Sequence, residues 1–134
     1  MIGLDTNVLL RAITRDSLAE SEAAVALLAS LTPEHPGIVN SIILAELAWT
    51  LRTGYGYERL EIVGIVDTLL QSPAYLFTDR QAVNEAVSRC QAEPMHLADA
   101  LIGEINRNAG GKTTMTFDSQ AAKSTNFTLV MITS

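Results

Sequence analysis

Apolar positions recur along this chain with two periods, and their alternation predicts the architecture. Ile2-Gly3-Leu4 reads as a short buried strand running into the carboxylate of Asp5. Val8, Leu9, Ala12 and Ile13 then recur at helical spacing, with Thr6 and Asn7 available as caps. A second helix is carried by Ala23, Ala24, Leu27, Leu28 and Leu31, capped by Asp16 or Ser17, and Thr32–Gly37 is a loop by composition. Ile38-Val39 is a brief extended piece. Ser41 is the expected N-cap of a third helix through Leu51, ended by Gly54 and Gly56. Tyr57–Leu70 reads as a fourth helix, Tyr75–Phe77 as a strand, and Val83, Ala86 and Val87 mark a fifth helix behind Thr78 or Asp79. Pro94 opens a helix to Asn108, closed by Gly110-Gly111. Thr113–Phe117 is a β-prone run that meets Asp118, and Phe127–Ile132 supplies a last strand.

Strands alternating with helices imply an α/β fold: a central, mostly parallel sheet of about four to five short strands flanked by helices. No repeat, low-complexity segment or linker interrupts it, so residues 1–134 are expected to form one domain.

Composition narrows the class. The chain is 48% hydrophobic and 18% charged, proportions of a globular protein. Its most apolar stretches, Ile38–Leu51 and Leu60–Leu70, fall short of the roughly 20 residues of a membrane span, and no secretory signal leads the chain. The lone cysteine, Cys90, cannot form an internal disulfide and suits a reducing cytosol, so a cytoplasmic location is expected. A net charge of −6 argues against a broad basic face for nucleic acid. It does not argue against an enzyme whose bound metals reverse the local field. It also suits a basic protein partner.

Four of the fifteen acidic residues stand in unusual contexts. Asp5 and Asp118 directly follow strand-like runs, at the carboxyl ends where open α/β sheets put their ligands. Glu46 has Ile42, Ile43 and Trp49 as helical neighbours, and Asp99 lies within Leu97-Ala98-Asp99-Ala100-Leu101-Ile102. Both are expected in apolar surroundings, with no basic residue one turn away. Burying such a carboxylate unpaired costs several kcal/mol. A shared hard cation, Mg²⁺ or Mn²⁺, would satisfy all four. On the residues alone a plainer reading stays open, in which Asp5 and Asp118 cap helices while Glu46 and Asp99 are half exposed.

At these same residues the chain resembles the PIN-domain family. The resemblance rests on Leu4-Asp5-Thr6-Asn7-Val8-Leu9, Ser41–Glu46, His96–Ile102 and Thr116–Lys123, in that order across nearly the whole chain. It implies a Mg²⁺- or Mn²⁺-dependent nuclease cutting RNA in single-stranded or loop regions. Asp5, Glu46, Asp99 and Asp118 match the acidic, metal-holding quartet, and Thr6, Asn7, Thr116 and Ser119 the polar positions around it. The short form is similar to VapC-type toxins of toxin–antitoxin pairs, which implies a homodimer inhibited by a small antitoxin with a basic segment. Alternatives are a catalytically silent PIN-like binding module, a housekeeping nuclease or a DNA nuclease. A phosphatase of the Asp-nucleophile type is disfavoured because Asn7 stands where a second Asp is needed.

Other residues carry less. His96 shares a helix face with Asp99 and reads as a first-turn polar residue; His35 reads as solvated. No histidine or cysteine pair has zinc-ligand spacing. Arg11, Arg15, Arg52, Lys112 and Lys123 lie on or beside the acidic segments; contact with RNA phosphates is one reading for some of them, and a solvated surface is the default expectation for each. The apolar face of Leu60, Ile62, Val63, Val66, Leu69 and Leu70 serves either core packing or a partner.

Overall fold

The computed structural model describes residues 1–133. In chain order it comprises β1 (Ile2–Gly3), α1 (Thr6–Thr14), α2 (Leu18–Ala29), β2 (Gly37–Val39), α3 (Ser41–Tyr55), α4 (Arg59–Gln71), β3 (Tyr75–Phe77), α5 (Arg80–Ala92), α6 (Leu97–Asn108) and β4 (Thr114–Thr116). A single 3₁₀ turn (Ala121–Lys123) then leads to β5 (Phe127–Leu129). Every strand pairing is parallel, as the β–α alternation requires. The expected single sheet is divided: β1-β2-β3 form one sheet and β4-β5 another. With only two residues, β1 offers little edge for a further ladder, and β4 is instead paired along its length with β5.

The helix boundaries follow local chemistry. Asp5, not Thr6 or Asn7, caps α1, its Oδ1 accepting the Thr6 N–H at 2.8 Å. Asn40, one residue before the expected Ser41, caps α3 by accepting the Ile43 N–H at 3.0 Å. Helix α3 runs through Gly54 and stops at Gly56, whose φ of 72° is the left-handed conformation that glycine adopts without penalty. Pro94 does not start α6. His96 occupies its N-cap position and Leu97 is the first helical residue.

Leu44, Leu47 and Leu51 of α3, Val63 and Val66 of α4, Val83 and Ala86 of α5, and Leu97 and Leu101 of α6 form the centre of one continuous core. The α4 apolar face is therefore mostly core: Ile62, Val63, Val66 and Leu70 are buried, and only Leu60 stands well out. No helix among the described residues is long and apolar enough to cross a membrane.

Candidate active site

The three-stranded sheet ends in polar residues along its carboxyl edge. The Leu4 N–H donates to Ile38 O at 3.1 Å and the Thr78 N–H to Val39 O at 3.2 Å, carrying the ladder one residue past β1 and β3. Asp5, Asn40 and Asp79 therefore follow the three strand ends. Ser41 Oγ donates to Asp79 Oδ2 at 2.5 Å, which ties the start of α3 to the end of β3. Beside the exposed Asp5, the hydroxyl of Thr6 is buried without a hydrogen-bond partner. Asp79 was not singled out from sequence, although Leu76-Phe77-Thr78-Asp79 repeats the strand-then-acid pattern of Asp5.

Asp99 and Asp118 are brought together in a separate cleft. With Arg52, Met95, His96, Gln120 and Ala121 they line a cleft of about 160 Å³. Asp99 comes from the first turn of α6. Asp118 follows β4 in a turn held by its own peptide and side chain. Its N–H donates to Thr116 Oγ1 at 3.0 Å, and its Oδ1 accepts the Gln120 N–H at 2.9 Å. Burial and the neighbouring Asp118 both raise the Asp99 pKa above the ordinary carboxylate value, and Arg52 and His96 only partly oppose them. The His96 pKa is lowered, first by burial and then by Arg52. Arg52 takes part in none of the ion pairs among the described residues. Of the two expectations for Arg52, a fully solvated group is not what the structure has: the residue is half buried and lines the acidic cleft.

Glu46 departs most from expectation. It is exposed, because α3 turns Ile43, Leu44 and Leu47 inward and leaves Glu46 on the outer face with Ile42 and Trp49, which are 72% and 58% exposed. The apolar surroundings anticipated for it exist in sequence but lie on the solvent side. The acid that is buried is Glu104, at 1% exposure. Its Oε1 accepts from Arg89 Nε at 2.5 Å and from Asn126 Nδ2 at 3.3 Å. Glu104 also has apolar sequence neighbours, Ile102 and Ile105, the kind of context that drew attention to Asp99. Its compensating charge comes from α5, fifteen residues back in the chain, and no short-range pattern reveals it.

Among the described residues no three Asp, Glu, His or Cys side chains converge as one metal-binding group. The cleft holds two of the quartet, Asp99 and Asp118; Asp5 and Glu46 do not line it. Two carboxylate groups, one of them half buried with no hydrogen bond offsetting its charge, are donors that suit a hard divalent cation. Mg²⁺ in particular binds through one or two carboxylates and retains water elsewhere.

No curated protein matches the chain in sequence comparison. The PIN domain family does match, over residues 2–126, which takes in every element through the 3₁₀ turn and all four of the acids considered. The chain therefore belongs to the PIN domain family, whose members are generally nucleases that hydrolyse phosphodiester bonds.

Proposed function

We propose that this chain is a metal-dependent endoribonuclease that cuts single-stranded or loop regions of RNA, and that it is the cytoplasmic, homodimeric toxin of a toxin–antitoxin pair. The observation that carries the catalytic reading is the Asp99–Asp118 cleft, where burial and like charge penalise an ionised Asp99 that a cation would stabilise. Asp99 and Asp118 would hold Mg²⁺ or Mn²⁺, with Asp5 and Glu46 completing the quartet on the substrate-bound enzyme. When bound, the metal supplies Lewis-acid polarisation of the phosphodiester and a water that is nucleophilic at neutral pH. Thr116 and the peptides of Gln120 and Ala121 fix the position of Asp118. His96, whose pKa burial and Arg52 lower against the pull of Asp99 and Asp118, stands at the cleft wall where it can accept or pass on a proton. The antitoxin would be a small protein whose basic segment lies across this acidic surface, a pairing that the chain's net charge of −6 favours.

A second reading, a PIN-fold binding module without catalysis, draws on the separation of Asp5 and Glu46 from the cleft. Cleavage of an end-labelled, structured RNA separates the two. The nuclease reading expects cutting with Mn²⁺, none in EDTA, and loss of at least about a hundredfold in Asp99→Asn or Asp118→Asn. Cutting by Asp99→Asn at the wild-type rate would overturn the assignment.

A further inference from the structure

Trp49 is the only tryptophan of the chain, and it is held out in solvent on the outer face of α3. Arg52 follows it by three residues on the same helix, so the two are neighbours along one face, about 4.5 Å apart in axial rise. The two residues line a narrow crevice together with Arg59 and His96. Arg52 and His96 in turn line the Asp99–Asp118 cleft. The surface is thus continuous from the acid pair, across a guanidinium, to an exposed indole. Of the two arginines in the crevice, Arg59 is committed: its Nη1 donates to the carbonyls of Cys90 and Glu93. Arg52 has no ionic partner among the described residues and lies half buried.

Resting on the nuclease reading above, we infer that Trp49 and Arg52 form a nucleotide subsite, in which Trp49 stacks on an unpaired base and Arg52 holds an adjacent phosphate of the strand entering the acid cleft. A flat aromatic face paired with a nearby cation is the chemistry by which single strands are held without base-edge readout. It also answers a difficulty of charge. A chain of net charge −6 repels a polyanion over most of its surface, so a cation at the rim of the cleft fixes where the strand can approach. Duplex RNA cannot offer an unstacked base to Trp49, so the subsite itself selects single-stranded substrate.

Because Trp49 is the sole tryptophan, its fluorescence reports this subsite directly. The full-length protein is titrated in EDTA with a twelve-residue oligouridylate, and in parallel with a ribose-phosphate oligomer of equal length lacking bases. The subsite predicts saturable quenching by the oligouridylate and none by the abasic strand. By anisotropy of labelled oligouridylate, Trp49→Ala should weaken binding roughly 5- to 100-fold and Trp49→Phe should recover most of it. Arg52→Gln should lower the slope of log Kd against log salt by about 0.7, one phosphate contact on a single strand. Cleavage of the same RNA with Mn²⁺ is scored separately. Cutting without quenching overturns the subsite and leaves the nuclease intact; quenching without cutting retains the subsite and overturns the nuclease. A concentration-dependent blue shift of the emission without RNA, with no quenching on its addition, would give this face to a second copy of the chain and overturn the inference.

Discussion

Asp99 and Glu104 lie on the same helix and meet the cost of a desolvated carboxylate in different ways. Glu104, almost wholly buried, has Arg89 at 2.5 Å, the outlying Arg107 at 3.7 Å and the Asn126 amide. Asp99 has another carboxylate, Asp118, as its strongest charged influence. The first arrangement is internally compensated; the second would be relieved by the cation proposed above. Glu104→Ala leaves Arg89 with only its longer pair to Glu93, at 3.5 Å, and empties a buried site, so it should cost about 2 kcal/mol in urea denaturation at constant m-value. A loss below about 1 kcal/mol would mean that Arg89 finds solvent unaided. Cys90 illustrates burial as the leading influence, with Asp99 and Glu93 acting in the same direction and Arg59 against them. With its side chain inaccessible, desolvation pushes the thiol up to about 12, so almost no thiolate exists at pH 8. Iodoacetamide should leave the native protein unmodified over hours and label it quickly in guanidinium; rapid native labelling would show the α5 packing to be open.

At the scale of elements, the position of the acid pair depends on how α6 packs against the second sheet. Gly103 allows this contact: a Cβ there would lie 2.7 Å from Phe127 Cε1 of β5. Since β5 pairs with β4, and β4 leads to Asp118, this contact helps set the spacing between Asp118 and Asp99. Gly103→Ala should therefore destabilise by about 1 kcal/mol, overpacking outweighing the gain in helix propensity. Phe127→Leu in the same chain should recover part of the loss, as coupled neighbours do. A stabilised Gly103→Ala protein would show that the ring simply moves aside. These contacts explain what the sequence could and could not reveal. Strand β3 was legible to the residue because Tyr75-Leu76-Phe77 is bounded by Pro73 and Thr78. The outward face of α3 was not legible. Ile42, Ile43, Leu44, Leu47 and Trp49 are apolar nearly all round, and only packing decides that Ile43, Leu44 and Leu47 face the core.

For the molecule as a whole, the α/β class and parallel pairing followed from element alternation, which depends on chain order alone. The division into two sheets did not, because it turns on which edge β4 pairs with, a contact far from any local signal. The same distinction governs the site. Strand-then-acid contexts pointed to Asp5 and Asp118, and a helical acid among apolar neighbours pointed to Asp99. The placement of Arg52 beside the acid pair and the Ser41–Asp79 hydrogen bond join segments distant in sequence, and no local pattern marks them.

The central claim is that the Asp99–Asp118 pair is built for a divalent cation, and thermal unfolding of wild type and Asp99→Asn, each with and without Mn²⁺, tests it most directly. A carboxyl group whose pKa is raised by folding binds its proton more tightly in the native state. Its contribution therefore falls as pH rises from the unfolded value of 3.8 through the folded one, and the penalty is complete once pH lies above the folded value. Without metal, Asp99→Asn should melt a few degrees above wild type at most, since solvent screens a half-exposed group. With Mn²⁺ at about a hundred times its Kd, wild type should gain about 2.7 kcal/mol and overtake a variant that scarcely responds. An Asn variant that melts below wild type in EDTA, with Mn²⁺ shifting neither protein, would contradict the account.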